Sequence, residues 1–235
     1  MNLIKKILPE KFKRKIKEDL GVPSLHWTLE NIKRIGFKPA FVIDGGAYEG
    51  KWALDFLEVF PGAEILMLEA QNSKEVILQS ICRQYKKLHY HIGLLSGEDG
   101  KMLSFFENET ASHVTESPGD NSLNIKSESL DAIVKRGNYP MPDFIKLDLQ
   151  GFELEVLKGA DNCLANAAFC LLEVTLIDLG GTPLILETLD FMATKGFQAY
   201  DICQFIRRPY DRALWQMDLL FIKSSSPYIS EKRWN

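Results

Sequence analysis

The feature that most constrains the fold is the order of three patterns: a short apolar run, a glycine-bearing turn and a helical pattern. Apolar runs of strand length alternate with segments of helical spacing through the first ninety residues, with the turn Gly45–Gly50 after the first run. The five segments, in the order strand, helix, strand, helix, strand, are residues 40–44, 51–60, 64–69, 73–85 and 88–92. Such alternation with short connections is typical of a parallel sheet covered by helices.

The second half of the chain adds four strands and makes seven. Residues 144–149, 169–176, 197–202 and 216–222 have strand patterns, and helices are predicted over residues 24–35, 130–135, 153–158 and 183–195. The polar insert 204–215 between the last two strands indicates an antiparallel edge hairpin, and residues 93–128 predict a hairpin with an irregular loop. We therefore predict an α/β fold, a Rossmann-like seven-stranded sheet with helices on both faces and an N-terminal helical extension.

The chain length favours one catalytic domain with small appendages. We predict a helical extension over residues 1–38, a catalytic domain over residues 39–225 and a tail over residues 226–235. Residues 2–20 have apolar positions at helical spacing and a basic opposite face, with Pro9 expected to kink or split the helix. Such a helix can lie on an anionic membrane surface, dock to a partner or cap its own domain.

Charge is distributed unevenly along the chain. Residues 1–17 contain seven Lys or Arg and one Glu, so this segment carries +6 and leaves −10 for the rest of the chain. An acidic body argues against nucleic-acid binding. The N-terminus lacks a secretory pattern, no run is long enough to span a membrane, and the four cysteines are scattered without a CxxC pair. We expect a cytoplasmic protein, with residues 1–20 as a contact for the inner membrane face or another protein.

The first turn predicts a ligand site, because ligands of open α/β sheets bind at the carboxyl ends of the strands. Asp44 ends the first strand, and Gly45, Gly46, Ala47 and Gly50 follow it. A dinucleotide fingerprint is nearly met but fails, since its middle glycine would fall on Ala47. A carboxylate at position 44 disfavours a pyrophosphate and suits the ammonium group of a methionine-type ligand, either directly or through water.

Glu69 ends the second strand nineteen residues past Gly50, at the position where an acidic side chain accepts the ribose hydroxyls of an adenosine. Ala70, Gln71 and Leu94 lie just past the second and third strands and, with Asp148 after the fourth, complete the predicted cofactor-binding set. In the plainer alternative, the carboxylate of the first turn caps a helix and Glu69 is a solvated strand end.

Four segments resemble the FkbM family of methyltransferases. They are VIDGGAYEG (42–50), MLEAQ (67–71), SLDAIV (129–134) and DFIKLDLQGFELEVLKGA (143–160), and the last is the most specific. The resemblance covers roughly residues 40–200. It implies a methyltransferase fold, S-adenosylmethionine as cofactor, and methylation of hydroxyl groups on sugars of bacterial surface glycans or on polyketides.

By motif matching, this resemblance implies a role for individual residues. Asp44, Gly46 and Gly50 would line the methionine end of the cofactor, Glu69 would bind the ribose, and Asp148 would lie beside the methyl group. Gln150 departs from the family pattern, since many members have Glu there, and a carboxylate role at this position is therefore in doubt.

Methyl transfer to a hydroxyl requires alignment of the acceptor and removal of its proton. The predicted catalytic residues are Asp148, Glu173 and His113, of which Asp148 is the nearest to the chemistry, as a base or as a ligand of the cofactor amine. Glu153 is a further candidate base, but at a helix start it is more often a dipole partner. We predict no metal ligands, because His89 and His91 share a strand face without a third ligand.

These patterns together predict an S-adenosylmethionine-dependent O-methyltransferase that acts on a hydroxyl of a sugar, surface glycan or glycosylated metabolite. Residues 93–128 and 204–215 would shape the acceptor site. The expected partner is therefore a small-molecule or glycan acceptor and not a nucleic acid. A catalytically silent cofactor-binding scaffold that docks to a glycan-assembly partner or membrane is the alternative, and a nicotinamide oxidoreductase is disfavoured by the missing glycine.

Overall fold

The computed structural model describes residues 12, 16, 19–109, 112–115, 122–231 and 234. The predicted helix over residues 2–20 therefore lies almost entirely outside the described residues. The predicted division of the chain at residues 38 and 225 stays a prediction. In the described part, no helix has the length and apolar character needed to cross a membrane.

The secondary structure alternates as the sequence predicts. The strands are β1 Phe41–Gly45, β2 Glu64–Glu69, β3 Leu88–Ile92, β4 Leu94–Leu95, β5 Met102–Phe106, β6 His113–Thr115, β7 Ser122–Glu128, β8 Phe144–Leu147, β9 Phe169–Thr175, β10 Phe197–Arg207 and β11 Leu214–Lys223. The helices are α1 Leu25–Arg34, α2 Lys51–Val59, α3 Glu75–Gln84, α4 Leu130–Arg136, α5 Glu153–Leu157, α6 Asp161–Asn166 and α7 Ile185–Thr194. Short 3₁₀ turns lie at Asn72–Lys74 and Pro227–Ile229.

The main sheet confirms the predicted seven-stranded Rossmann-like architecture. Its strands lie in the order β10-β11-β9-β8-β1-β2-β3. The five strands from β9 to β3 run parallel, and β11 is antiparallel to both β9 and β10. The chain order reverses between β1 and β8, so the crevice at their carboxyl ends is where a fold of this type binds its ligand.

Helices cover both faces of this sheet. Residues of α1, α2 and α3 pack with Val42 and Phe144 in one apolar cluster. Residues of α4, α5, α6 and α7 pack with Ile43 and Ile145 in the other. Because side chains alternate along a strand, Asp44 and Lys146 project toward the α1–α3 face, two residues beyond Val42 and Phe144.

The prediction of a hairpin and an irregular loop over residues 93–128 was incomplete. Four strands there form a second sheet in the order β4-β7-β5-β6. Several of their side chains are exposed, including Met102 and Leu123, so the sequence lacks the continuous apolar run that marked the main strands. The small sheet lies next to the carboxyl ends of β2 and β3, where it forms part of the cavity wall.

Other details of the secondary structure also differ from the prediction. Strand β8 ends at Leu147 instead of residue 149, because Gln150 and Gly151 adopt positive φ angles of 55° and 93° in the following turn. The edge hairpin is longer than predicted, since β10 continues to Arg207 and β11 begins at Leu214, which leaves a short turn in place of the polar insert. Helix α6 was not predicted, because its six residues make fewer than two turns and include a single large apolar residue, Leu164.

Candidate functional site

A cavity of about 430 Å³ lies at the carboxyl ends of the parallel strands. Its walls also include the small sheet and the β10–β11 hairpin. The predicted site residues that line it are Gly46, Glu69, Ala70, Gln71, Leu94, His113, Asp148 and Glu173. The remaining predicted residues, Asp44, Gly45, Ala47 and Gly50, do not line this cavity. The roles of all the predicted site residues stay predictions.

Gly46 brings the first turn against the end of β8. Its φ angle is +73°, and a Cβ at this position would lie 2.0 Å from the carbonyl oxygen of Asp148. The amides of Gly46 and Ala47 donate to the carbonyl of Leu68 at 2.9 and 3.0 Å. Only glycine fits this conformation and this contact, so the first turn lies directly against the end of β8.

Glu69 is buried, and its carboxylate is oriented by the backbone. Its Oε2 accepts a hydrogen bond from the amide of Tyr48 at 2.7 Å, and its Oε1 accepts one from the amide of Gln71 at 2.9 Å. A carboxylate oxygen has two lone pairs, so each oxygen can accept one further hydrogen bond from the cavity. The arrangement suits a ligand with two adjacent hydroxyl groups.

Glu109 holds the segment after β5 in place at the Glu69 end of the cavity. Lys74 Nζ donates to its Oε2 at 2.6 Å, the Tyr48 hydroxyl donates to the same oxygen, and Gln71 Nε2 donates to its carbonyl at 3.0 Å. The hydrogen bond from Lys74 holds the pKa of Glu109 below its usual value. We call Tyr48, Lys74 and Glu109 the clasp.

Acidic side chains converge at the other end of the cavity. Glu173 and Asp218 lie directly opposite each other on β9 and β11. Burial, with the nearby Asp148 carboxylate, raises the pKa of Glu173 to about 8 and that of Asp218 to about 6. Gln150 Nε2 lies 3.2 Å from Asp148 Oδ1 and 3.4 Å from Glu173 Oε2, so its amide links the two carboxyl groups.

Glu153, the further candidate base, is held in the turn after β8. It is buried, and its Oε1 accepts hydrogen bonds from the amides of Leu149 at 2.6 Å and Gly151 at 3.3 Å. Burial raises its pKa to about 7. These contacts are those of a residue that closes the turn, and Glu153 does not line the cavity.

His113 lies on β6 at the side of the cavity formed by the small sheet. Its ring centroid is 5.6 Å from that of Phe106. Further along the wall, toward the hairpin, the cavity is lined by Phe152, Gln204, Ile206 and Trp215. This part of the wall presents aromatic and amide groups beside Asp218, which lies opposite Gln204 in the hairpin.

Sequence reasoning did not identify several charged residues of the site, among them Lys146 and Asp218. The Nζ of Lys146 is 3.0 Å from Asp44 Oδ1, and it donates to the carbonyls of Gly45 at 3.2 Å and Gly46 at 3.0 Å. Burial opposes its charge, but the Asp44 and Asp148 carboxylates together raise the pKa of Lys146. The signal in the sequence was a charge inside each of two apolar strands, FIKL and WQMDLLFI.

A second cavity of about 370 Å³ adjoins the first on the side of α1 and α2. It is lined by the turn 46–49, by Lys51 and Trp52 at the start of α2, and by Lys146. The two cavities share Gly46, Tyr48, Asp148, Glu173, Gln204 and Asp218. In the part of the chain that the structure describes, no three His, Cys, Asp or Glu side chains converge as metal ligands would.

Residues 44–199 match the sequence model of the methyltransferase FkbM domain. An 88-residue segment is 35% identical to the hexuronic acid methyltransferase AglP of Haloferax volcanii and covers 37% of this chain. The matched segment spans 35% of that relative, so most of the relative's length has no counterpart in the match.

Two solved structures show the same fold. The methyltransferase FkbM of Methylobacillus flagellatus KT is 20% identical, with a TM-score of 0.50 over 78% of this chain and 43% of that one. The magnesium protoporphyrin IX methyltransferase ChlM of Synechocystis PCC 6803, solved with bound S-adenosylmethionine (SAM), is 10% identical, with a TM-score of 0.51 over 95% of this chain and 85% of that one.

Proposed function

The chain belongs to the FkbM family of methyltransferases, and we propose that it transfers a methyl group from S-adenosylmethionine to a hydroxyl of a sugar, surface glycan or glycosylated metabolite. The observation that carries this proposal is the buried carboxylate of Glu69, oriented by two backbone amides at the wall of the cavity. It supports a ligand with a ribose diol at the carboxyl end of β2.

The residues around this carboxylate fit the cofactor. Glu69 would accept the ribose hydroxyls, and Ala70, Gln71 and Leu94 line the adjoining wall, where an adenine would lie. Gly46 would face the methionine end, and Asp148 is the carboxylate next to it. When bound, S-adenosylmethionine supplies an electrophilic methyl group on a sulfonium sulfur.

The chain must align the acceptor, exclude water and take up one proton. Asp148, Glu173 and His113 line the same cavity and are the proposed catalytic residues. Glu173 becomes a base only after it loses its proton, because burial raises its pKa to about 8. If Glu173 is the base, the rate should therefore rise with pH up to about that value.

The sugar acceptor is supported by two observations. The relative AglP is described as a hexuronic acid methyltransferase. The wall formed by Phe152, Gln204, Trp215 and Gln216 offers aromatic faces and amide groups, which can stack on a sugar ring and bind its hydroxyls. Contact of residues 1–20 with a membrane or another protein remains a prediction.

Calorimetric titration of S-adenosylmethionine and its product S-adenosylhomocysteine (SAH) tests the cofactor. We expect micromolar binding to the wild type, no binding of NAD, and at least tenfold weaker binding by Glu69→Ala, since loss of hydrogen bonds to a charged acceptor costs roughly 1.5–3 kcal/mol each. Glu64→Ala is the matched control, because Glu64 is at the opposite end of the same strand. Failure of both adenosyl compounds to bind the wild type would overturn the proposal.

A further inference from the structure

The wall of the main cavity is rich in carboxyl groups. Those that line it are Glu69, Glu109, Asp148, Glu173 and Asp218, and in the described part of the chain no lysine or arginine lines it. An anionic group that entered this cavity would lose its hydration without gaining a cation. An anionic group of the acceptor is therefore expected to lie outside the cavity.

The lysines near the two cavities already have carboxylate partners. The pairs are Lys74 with Glu109, Lys51 with Asp55 and Lys146 with Asp44. Each ammonium charge is compensated by its own carboxylate and attracts a further anion only weakly.

The end of the β10–β11 hairpin is different, and it lies directly outside the same cavity. Residues 204, 206, 215 and 216 of the hairpin line the cavity. The chain between them contains Arg207, Arg208 and Arg212 but a single carboxylate, Asp211, which accepts a hydrogen bond from Arg208 Nε at 3.0 Å. Three arginines and one aspartate give this hairpin end a net charge of +2, whereas residues 18–235 as a whole carry −10.

Arg207 and Arg212 come together at this hairpin end. Arg207 Nη1 donates to the carbonyl of Arg212 at 3.0 Å, and the amide of Arg212 donates to the carbonyl of Arg208 at 2.9 Å. Both arginines are exposed, and among the described residues no carboxylate forms an ion pair with either of them.

Two guanidinium groups without a carboxylate partner suit a phosphate. Each guanidinium has five N–H donors in a planar fork that matches phosphate oxygens. A carboxylate carries one negative charge, whereas a diphosphate linkage carries two, which equals the net charge of the hairpin end. Ile206 lines the cavity and Arg207 is the next residue, so one acceptor can reach both places.

We propose that Arg207 and Arg212 bind a phosphate or diphosphate group that joins the acceptor sugar to its carrier, while the sugar itself enters the cavity. This inference rests on the proposed function and narrows its acceptor to a sugar linked through phosphate. The recognised chemistry is the phosphate group. A nucleoside and an isoprenoid lipid are the two carriers that the experiment separates.

Calorimetric titration of the SAH-loaded protein with inorganic diphosphate tests the site. We expect saturable binding to the wild type and at least tenfold weaker binding to Arg207→Gln/Arg212→Gln. The variant Arg207→Lys/Arg212→Lys keeps the charge without the planar fork, so it should lose a smaller part of the affinity. The affinity for SAH should change less than twofold in both variants, because neither arginine lines the cavity.

Arg83→Gln is the matched control. Arg83 is exposed and lies on α3, which precedes β3 at the opposite edge of the main sheet from β10. This variant loses one positive charge but should bind diphosphate as the wild type does.

Two further ligands identify the carrier. UDP and farnesyl diphosphate present the same group on a nucleoside and on an isoprenoid chain. We expect one of them to bind at least tenfold more tightly than inorganic diphosphate, and the double glutamine variant should bind it at least tenfold less tightly than the wild type does. Equal affinity for all three ligands would support a contact limited to the phosphate groups.

Three outcomes would overturn the inference. They are a wild type that binds SAH but none of the diphosphate ligands, equal diphosphate binding by the wild type and a folded double glutamine variant, and arginine-dependent binding of phosphatidylglycerol vesicles without binding of diphosphate. The last would assign the hairpin end to a membrane surface. All three leave the proposed function standing, whereas a wild type that binds neither S-adenosylmethionine nor SAH contradicts the proposed function itself.

Discussion

Gly46 combines a left-handed backbone with close contact to the carbonyl of Asp148. We predict that Gly46→Ala destabilises the protein by roughly 2–5 kcal/mol, since both the backbone strain and the overlap have to be relieved. Gly62→Ala is the control, because a Cβ there would meet nothing within 4 Å, and its effect should stay within about 0.5 kcal/mol. Urea unfolding measures both, and equal stability of the two variants would contradict the close contact.

Glu173 makes the stability of the fold depend on pH. Its pKa is about 8 in the folded protein, above the ordinary value near 4.3 expected when unfolded. The folded state therefore binds an extra proton between these values, and stability falls as the pH rises through that window. Glu173→Gln should remove this loss, so that its free energy of unfolding relative to the wild type rises by about 4 kcal/mol between pH 5 and pH 9.

Chemical unfolding of both proteins from pH 5 to pH 9 measures this difference. The exposed Glu98 provides the control, since Glu98→Gln should follow the wild-type profile. Parallel profiles for the wild type and Glu173→Gln would contradict the raised pKa.

Some site residues could be predicted from sequence because their position is local. Glu69 and Gly46 lie next to strand ends that the apolar pattern marks, so their placement at the ligand edge follows from the fold class alone. Lys146 could not be placed in this way, because its contact with Gly46 joins residues 100 positions apart and depends on the register of two strands. The same holds for Asp218 opposite Glu173.

At the level of elements, the clasp connects the small sheet to the main one. We predict that Glu109→Ala speeds dissociation of SAH several-fold, because the segment after β5 loses its contacts with Tyr48 and Lys74. Lys74→Met should speed dissociation of SAH to a similar extent. The double variant Lys74→Met/Glu109→Ala should release SAH little faster than either single variant, since both changes break the same interaction. Stopped-flow displacement measures the rates.

Glu107→Ala is the control for the clasp. Glu107 lies on the same segment and binds Ser73, but it does not line the cavity. Equal dissociation rates for the wild type and Glu109→Ala would show that the segment does not restrain the ligand.

The secondary-structure elements differ in how well the sequence predicts them. Strands β1, β2, β8 and β9 are almost entirely buried, so their apolar runs predict them directly. Strands β5 and β7 are mostly only partly buried, and β7 has polar residues between apolar ones, a composition that also fits a loop. The architecture of the core was therefore predictable, whereas the cavity wall built on it was not.

Across the whole molecule, binding should be visible as stabilisation. SAH at about 100 times its dissociation constant should add about 2.7 kcal/mol, because it binds the folded state alone. For a chain of this size, we predict a melting temperature increase of roughly 5–10 °C. Thermal unfolding with SAH, and with NAD as control, measures it, and Glu69→Ala should show a much smaller increase. An equal increase with NAD would contradict the predicted cofactor.

The pairing of β1 with β8 also dictates when the site can exist during synthesis. The first half of the chain provides the glycine turn and Glu69, but Lys146 and Asp148 follow about a hundred residues later. A nascent chain that has emerged only as far as β7 therefore holds Asp44 without its cation, beside an open edge of β1. Long-range parallel pairing is slow, so this exposed edge is where chaperone protection matters most.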